Sequence, residues 1–548
     1  MVHPDIEDVL SLTPLQEGLY FHWLYRDGDG DSYTLQDTLE LQGPLDAQRL
    51  REAVKSALAA HPGLRAAFRA RPKTGELIQV VFRGIEAPWI TVDLSDVPQR
   101  CREAELGALL AYELRREFDL ARPPLLRTLC VKLDDEHHVF AMTYHHILLD
   151  GWSAELLLEQ IVAVYDRGEP VSGIAAPEPV NPARAYGDWL AARDRRGAQQ
   201  VWTAYLAGVR SGTCVAPPKS VNTASRSRRT TSALDPETTG RLQDHARRNN
   251  LTLNSLVQTA WGLLLGRVCG SDDVVYGRTV AGRPPELPGS HDMIGMFTNV
   301  VPVRIRPEPG ESVLRLCTRV QSEQTVLWEH DHLGLADIQE VCGINDLFDT
   351  VYSFQSFQSL SAGVHERTGH ARGLRIRPAG HNAPHFPLSL IAFMDDEQLT
   401  TTLVFAADAF DDSLAESLAA RLPELLSHMA DNPGMPVEDV AALPVPVVPR
   451  HAEAAPHEHE VNAGPEPSGS ERAGIERSLI GLYSTVLGIP EEELSAHDDF
   501  FELGGNSLLA TRLVGQIRTI LGRDLPLRQL FDHPVVADLA REFVSRGA

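Results

Sequence analysis

Two adjacent histidines, His145 and His146, precede Asp150 and Gly151 within the stretch Tyr144-His145-His146-Ile147-Leu148-Leu149-Asp150-Gly151-Trp152-Ser153. With an unperturbed pKa of about 6.5, a histidine offers a neutral, basic ring nitrogen near neutral pH and can take up a proton. Asp150 can hold such a loop, and Asp150-Gly151 supplies the chemistry of a backbone turn. The same residues also fit a hydrogen-bonded structural corner that does no chemistry.

The flanking residues say what must position them. Val139 to Tyr144 is rich in β-branched and aromatic residues and reads as a strand. Ala154 to Tyr165 is too apolar for a surface loop and reads as a buried helix, with Ser153 as its cap. The histidines therefore fall on a strand-to-helix connection, where rigid scaffolds commonly carry functional side chains.

Upstream, Thr13-Pro14-Leu15-Gln16 predicts a helix start, since threonine caps, proline suits the first turn and glutamine three residues on closes a capping box. Leu39 to Leu41 reads as strand, and Asp46 caps a helix running to Ala60, before the His61-Pro62 break. Strands and helices then alternate to about residue 168. Prolines 170, 177, 179 and 182 mark a crossing between two lobes. One long helix is expected over Tyr186 to Ala207, a polar loop over Ser220 to Ser232, a buried helix from Leu253 to Val268, and a turn into strand at Asp272 to Gly277.

Residues 444–474 are rich in proline and charge, lack an apolar period, and read as a linker. Beyond it, Ile475, Leu479, Leu482 and Val486 share one helix face, as do Leu509, Leu513, Ile517 and Leu521 on a second helix ending at Gly522.

Composition narrows the function classes. The 548 residues suffice for three or four units at about 100 to 200 residues each, and 43% hydrophobic content is that of a globular chain. A formal charge of −25 argues against nucleic acid or an anionic membrane as partner, because both require a basic footprint. Cys101, Cys130, Cys214, Cys269, Cys317 and Cys342 are scattered without a Cys-x-x-Cys pair, so neither a zinc site nor a disulfide scaffold is expected. With no apolar run of membrane-spanning length and no signal-like N-terminus, a cytoplasmic location is expected.

The His-His-x-x-x-Asp-Gly stretch with its Trp-Ser resembles the signature of nonribosomal peptide synthetase condensation domains, members of the chloramphenicol acetyltransferase-like superfamily. Leu12 to Leu19, His61 to Phe68, Gly282 to Leu287 and Met293 to Arg304 resemble other motifs of that family in the same order. Two departures stand out: Ala60 where the family has arginine, and Ala66 where it has threonine. Asp498-Asp499-Phe500-Phe501-Glu502-Leu503-Gly504-Gly505-Asn506-Ser507-Leu508-Leu509 resembles the attachment motif of peptidyl carrier proteins. Standing alone, Gly-Gly-Asn-Ser would pass for a plain turn and N-cap.

The resemblance implies a two-lobed α/β (α+β) pseudo-dimer, its lobes forming a V, followed by a small four-helix carrier domain. The expected division is 1–170 for the N-lobe, 183–443 for the C-lobe, 444–474 for the linker and 475–548 for the carrier. The implied reaction is attack by the amine of an acceptor aminoacyl thioester on a donor acyl thioester, each held by a carrier. His146 would orient the amine or take its proton, His145 would orient the loop, and Gly151 would lend a backbone N–H to the developing oxyanion. Asp150 is assigned to support, paired with Arg283 or, as second candidate, Arg65.

Ser507 would carry covalent 4'-phosphopantetheine, at a helix start whose free N–H groups favour a phosphodiester. Implied partners are an upstream donor carrier, an adenylation domain acting in trans or lying outside this sequence, and a phosphopantetheinyl transferase.

Epimerisation domains share the histidine motif but follow a carrier. Dual epimerisation and condensation domains carry a further histidine pair, where this chain has His22-Trp23. A non-catalytic docking platform would be free to lose the histidines that stand here. Heterocyclisation domains replace them with aspartates. Leu12 to Leu19, Ile147 to Leu149 and Thr252 to Gln258 look more like domains that accept a D-configured donor residue.

Overall fold

The computed structural model of the chain describes residues 5–25, 33–71, 74–167, 182–216, 227–355, 374–378, 386–410, 412–440, 469–487, 489–500, 503, 507–521, 523, 525, 529–530 and 533–545. The stretch His137–His145 alternates its side chains across the centre of a five-stranded sheet. Phe140, Met142 and Tyr144 join the core under the helices Ala47–Ala60 and Gly151–Arg167. Val139 and Ala141 join a second cluster under the helix Gln99–Arg115, with Leu106 and Leu109.

The strand order in this sheet is Arg375–Pro378, Thr34–Gln42, His137–His145, Leu126–Lys132, Trp89–Asp93. Antiparallel pairing places Thr34 opposite His145. Ile6–Ser11, Leu77–Phe82 and Ala66–Ala70 form a separate three-stranded sheet. As expected, Asp46 accepts the Arg49 N–H at 3.0 Å and caps Ala47–Ala60.

The second half is built on a six-stranded sheet ordered Asn299–Ile305, Val274–Val280, Thr350–Gln355, Leu388–Asp395, Gln398–Ala406, Ser227–Ala233. Leu253–Cys269, Pro236–Arg248 and Asp412–Asp431 bury one face, and Arg195–Leu206 with Leu335–Cys342 cover part of the other. The two halves interlock. Arg375–Pro378 crosses back to complete the first sheet, pairing Ile376 with Leu41, and Ile294 and Met296 pack into the first half's core.

In the C-terminal unit, Gly469–Leu487, Ser507–Leu521 and Val536–Ser545 enclose Leu479, Tyr483, Phe500, Leu513, Ile517, Leu539 and Phe543. Phe21, on the first helix Pro14–Tyr25, packs against this core.

Several elements differ from expectation. Tyr186 to Ala207 is two helices, Pro182–Ala191 and Arg195–Leu206, because Asp194 accepts the Gly197 N–H at 3.0 Å and restarts the helix. The part of the expected polar loop that is described, Ser227–Ala233, is an edge strand. The helix after the histidines begins at Gly151 and is capped by Asp150, which accepts the Ser153 N–H at 2.7 Å, so Ser153 lies within the helix. The first carrier helix starts at Gly469, inside the stretch read as linker. Residues 168–181, the rest of the lobe crossing, lie outside the described residues.

Candidate active site

The histidine loop is a tight backbone structure before any side chain is considered. The His146 N–H donates to the Tyr33 carbonyl at 2.8 Å, and the Leu148 and Leu149 N–H groups donate to the carbonyls of His145 and His146 at 3.0 and 3.2 Å. The Asp150 N–H then crosses to the second half and donates to the Gly295 carbonyl at 3.1 Å.

Asp150 fastens the loop from both halves. Its Oδ1 accepts from Ser153 N–H at 2.7 Å and from Arg283 Nη2 at 3.2 Å, while Oδ2 accepts from the N–H groups of Phe297 and Thr298 at 2.9 and 3.2 Å. Arg283 also donates through Nη1 to the carbonyls of Ser290 and Met293 at 2.7 and 2.8 Å, and through Nη2 to Ser153 Oγ at 2.8 Å. Its guanidinium lies 4.8 and 4.9 Å from the ring centres of Trp152 and Phe297. Both side chains of the pair are 1% exposed, and so dry an ion pair persists only with further hydrogen bonds: Asp150 has three other donors and the two Nη atoms of Arg283 have three other acceptors, while its buried Nε has no partner among the described residues.

The residue before Arg283 must be glycine. Gly282 sits at φ +60°, and a Cβ there would stand 1.7 Å from the Phe297 carbonyl oxygen.

The two histidines are placed differently. His145 is fully buried, and its Nδ1 accepts the Ile147 N–H at 3.1 Å, which commits it to the loop. His146 is partly exposed, with Nδ1 2.8 Å from the Leu149 carbonyl oxygen. A carbonyl only accepts, so Nδ1 carries the proton and Nε2 the lone pair. Burial holds the His146 pKa below its ordinary value, against the raising influence of the Leu149 carbonyl and Asp150, so the ring is neutral at neutral pH. Gly151 is exposed at the first position of the helix Gly151–Arg167, where backbone N–H groups have no partner within the helix.

Sequence reasoning missed Glu155, one turn further along that helix. Burial pushes its carboxyl up to about 8, helped by the neighbouring carboxylates of Asp37, Glu159 and Asp150. Asp37 itself accepts from the Tyr144 hydroxyl at 3.0 Å. A lone glutamate on an amphipathic helix gave no signal, because Asp37 comes from a different strand.

Arg65 is not a partner of Asp150. It pairs with Glu7 at 2.8 Å and donates to the carbonyls of Leu58, Ala59 and Phe82, tying the end of the Ala47–Ala60 helix to the small sheet. Ser507 is the first residue of the helix Ser507–Leu521. Its side chain, with Phe501, Glu502 and Gly504 to Asn506, lies outside the described residues, as do residues 26–32 after His22-Trp23. Among the described residues no cluster of His, Cys, Asp and Glu could hold a metal, and no helix is long and apolar enough to cross a membrane.

The family model for the condensation domain matches residues 6–445, and that for the phosphopantetheine attachment site matches residues 477–543. The chain belongs to the condensation-domain family. It is a nonribosomal peptide synthetase didomain, condensation followed by carrier, in a family of peptide-bond-forming acyltransferases. It is 32% identical over 450 residues to one of the linear gramicidin synthase proteins of Brevibacillus parabrevis, covering 80% of this chain and 9% of that protein. It is 26% identical over 437 residues to bacitracin synthase 3 of Bacillus licheniformis, covering 79% of this chain and 7% of that protein. The chain thus spans under a tenth of the length of these two curated relatives.

Among solved structures, the X-domain from teicoplanin biosynthesis superposes with a TM-score of 0.67 at 24% identity, over 79% of this chain and 97% of that one. A holo four-domain nonribosomal peptide synthetase gives 0.67 at 16% identity, over 91% of this chain and 40% of that one. These are likenesses of fold, a condensation-type pair of lobes.

The attachment-site match makes covalent 4'-phosphopantetheine the carrier's cofactor. A serine at the first position of a helix fits that group, since the N-terminal N–H groups and the helix dipole favour an anionic phosphodiester.

Proposed function

We propose that this chain forms an amide bond between a donor acyl thioester brought by an upstream carrier and an acceptor aminoacyl thioester held on Ser507. The phosphopantetheine arm would present the acceptor amine as part of a tethered thioester. Holding both reactants in one site replaces a bimolecular encounter with a local step, worth about 7 to 11 kcal/mol. His146 Nε2 orients the amine and accepts its proton as the amine attacks the donor carbonyl. The Gly151 N–H faces the oxyanion that develops on that carbonyl, and the donor's thiol leaves when the intermediate collapses.

His145, Asp150 and Arg283 keep the loop in shape. The observation that carries this reading is the 2.8 Å approach of His146 Nδ1 to the Leu149 carbonyl oxygen, which leaves Nε2 as the basic nitrogen.

The donor residue is D-configured in this reading, supported by the motif stretches Leu12 to Leu19, Ile147 to Leu149 and Thr252 to Gln258. Swapping hydrogen for side chain at the donor Cα beside the reacting carbonyl supplies a few kcal/mol of discrimination by steric clash. The upstream carrier, an adenylation domain and a phosphopantetheinyl transferase are the proposed partners. Loading the upstream carrier separately with D- and L-terminated donor peptides tests the assignment. Faster condensation of the D donor is expected. Preference for the L donor, or deuterium exchange at its Cα before condensation, would overturn it in favour of a plain or an epimerising domain.

A further inference from the structure

We infer that Gln16 is a positioning residue for His146. Its two amide atoms have separate partners: Oε1 accepts the Thr13 N–H at 3.0 Å, closing the capping box of the first helix, while Nε2 donates to the Ile147 carbonyl at 2.9 Å. Capping needs only the oxygen, and glutamate serves that role as well as glutamine. The nitrogen is what capping does not explain. It reaches 131 residues along the chain to the carbonyl of Ile147, the residue after His146, and Gln16 is only 3% exposed.

His146 is thereby bracketed. Its N–H is held by the Tyr33 carbonyl, its Nδ1 by the Leu149 carbonyl, and the carbonyl of the next residue by Gln16. Losing that last contact leaves a buried carbonyl without its donor and lets the Ile147–Leu148 peptide unit tilt, which loosens the turn that holds His146 and moves Nε2 away from the amine. The same first helix carries Phe21 against the carrier core, so the element that steadies the histidine loop is also the one on which the acceptor carrier rests.

The inference deepens the proposed condensation reaction and rests on it for its kinetic effect. Gln16→Glu retains the capping oxygen and removes the donor, and Gln16→Met, of similar size, removes both. With the donor carrier varied, kcat is expected to fall at least about tenfold while KM for that carrier stays unchanged. For Gln16→Glu the ratio to the native rate should rise as pH is lowered, because a protonated carboxyl donates to the Ile147 carbonyl again, whereas for Gln16→Met the ratio stays flat.

Nitrogen NMR of the imidazoles, with His146 assigned by its substitution, reads the effect without turnover. The native ring should hold its proton on Nδ1, and both variants should shift toward the other tautomer. A folded variant with native kcat and an unshifted His146 tautomer overturns the inference. If Gln16→Glu fails to fold, Gln16→Met decides by the same two readings. If the native chain makes no amide, the condensation reading falls, and the tautomer shift still decides the role of Gln16.

Discussion

At the scale of single residues, Asp150 and Glu155 show two environments for a carboxyl on the segment that follows the histidines. Asp150 is saturated by four donors, so Asp150→Asn sets an amide against Arg283 and removes the charge from a dry pair; breaking such a pair costs about 3 to 5 kcal/mol. We expect a clear fall in Tm together with lost activity, and an unchanged Tm would contradict the clasp. Glu155 sits instead among like charges, and its pKa is raised from an ordinary 4.5 to about 8. Between those values the unfolded chain ionises this carboxyl while the folded one keeps it protonated, so each rise in pH through the window costs stability.

Glu155→Gln should therefore raise the Tm more at about pH 8 than at about pH 5, and an equal effect at both would refute the shift. His146 runs the opposite way. Because burial lowers its pKa, the neutral base persists below about pH 6.5, and the acid limb of the single-turnover profile should fall beneath that value. The histidine motif was legible in sequence because its members are contiguous. The loop contact of Gln16 and the carboxylate neighbours of Glu155 were not, since each depends on side chains brought in from distant segments.

At the scale of elements, the site is a strand, a loop and a helix from the first half, clamped by the Met293 to Thr298 segment of the second. Gly282→Ala tests that clamp. Its Cβ would stand 1.7 Å from the Phe297 carbonyl, so the backbone must shift the segment whose N–H groups hold Asp150. Lower stability and slower condensation are expected together; an active, equally stable variant would show that the clamp does not matter.

Apolar patterning marked Leu253 to Val268 and the run from Asp46 to Ala60, and β-branched and aromatic content marked Val139 to Tyr144; these lie in the helices Leu253–Cys269 and Ala47–Ala60 and the strand His137–His145. It failed at Ser227–Ala233, a polar edge strand whose support comes from cross-strand hydroxyl pairs, Thr231 with Thr402 at 3.1 Å and Ser232 with Thr401 at 3.2 Å. It also ran two helices together over Tyr186 to Ala207, because the apolar spacing continues across a break that only the Asp194 cap reveals.

At the scale of the whole molecule, the strand Arg375–Pro378 and the residues Ile294 and Met296 lock the second half onto the first, and the Asp150–Arg283 pair lies at that seam. The carrier core meets the first helix through Phe21, the helix that also reaches the histidine loop through Gln16. No reading of one segment could show this arrangement, since it joins the first helix to the last unit of the chain. What the molecule is proposed to do rests on His146 catalysing transfer of the donor onto an acceptor carried by Ser507. Intact-protein mass spectrometry tests this most directly: load Ser507 with an aminoacyl phosphopantetheine arm, add a donor-loaded carrier, and follow single turnover. The native chain should gain the donor mass, the otherwise folded His146→Ala chain should gain it far more slowly, and Ser507→Ala should accept neither arm nor donor. Full transfer by His146→Ala at the native rate, or arm attachment to Ser507→Ala, would contradict these roles.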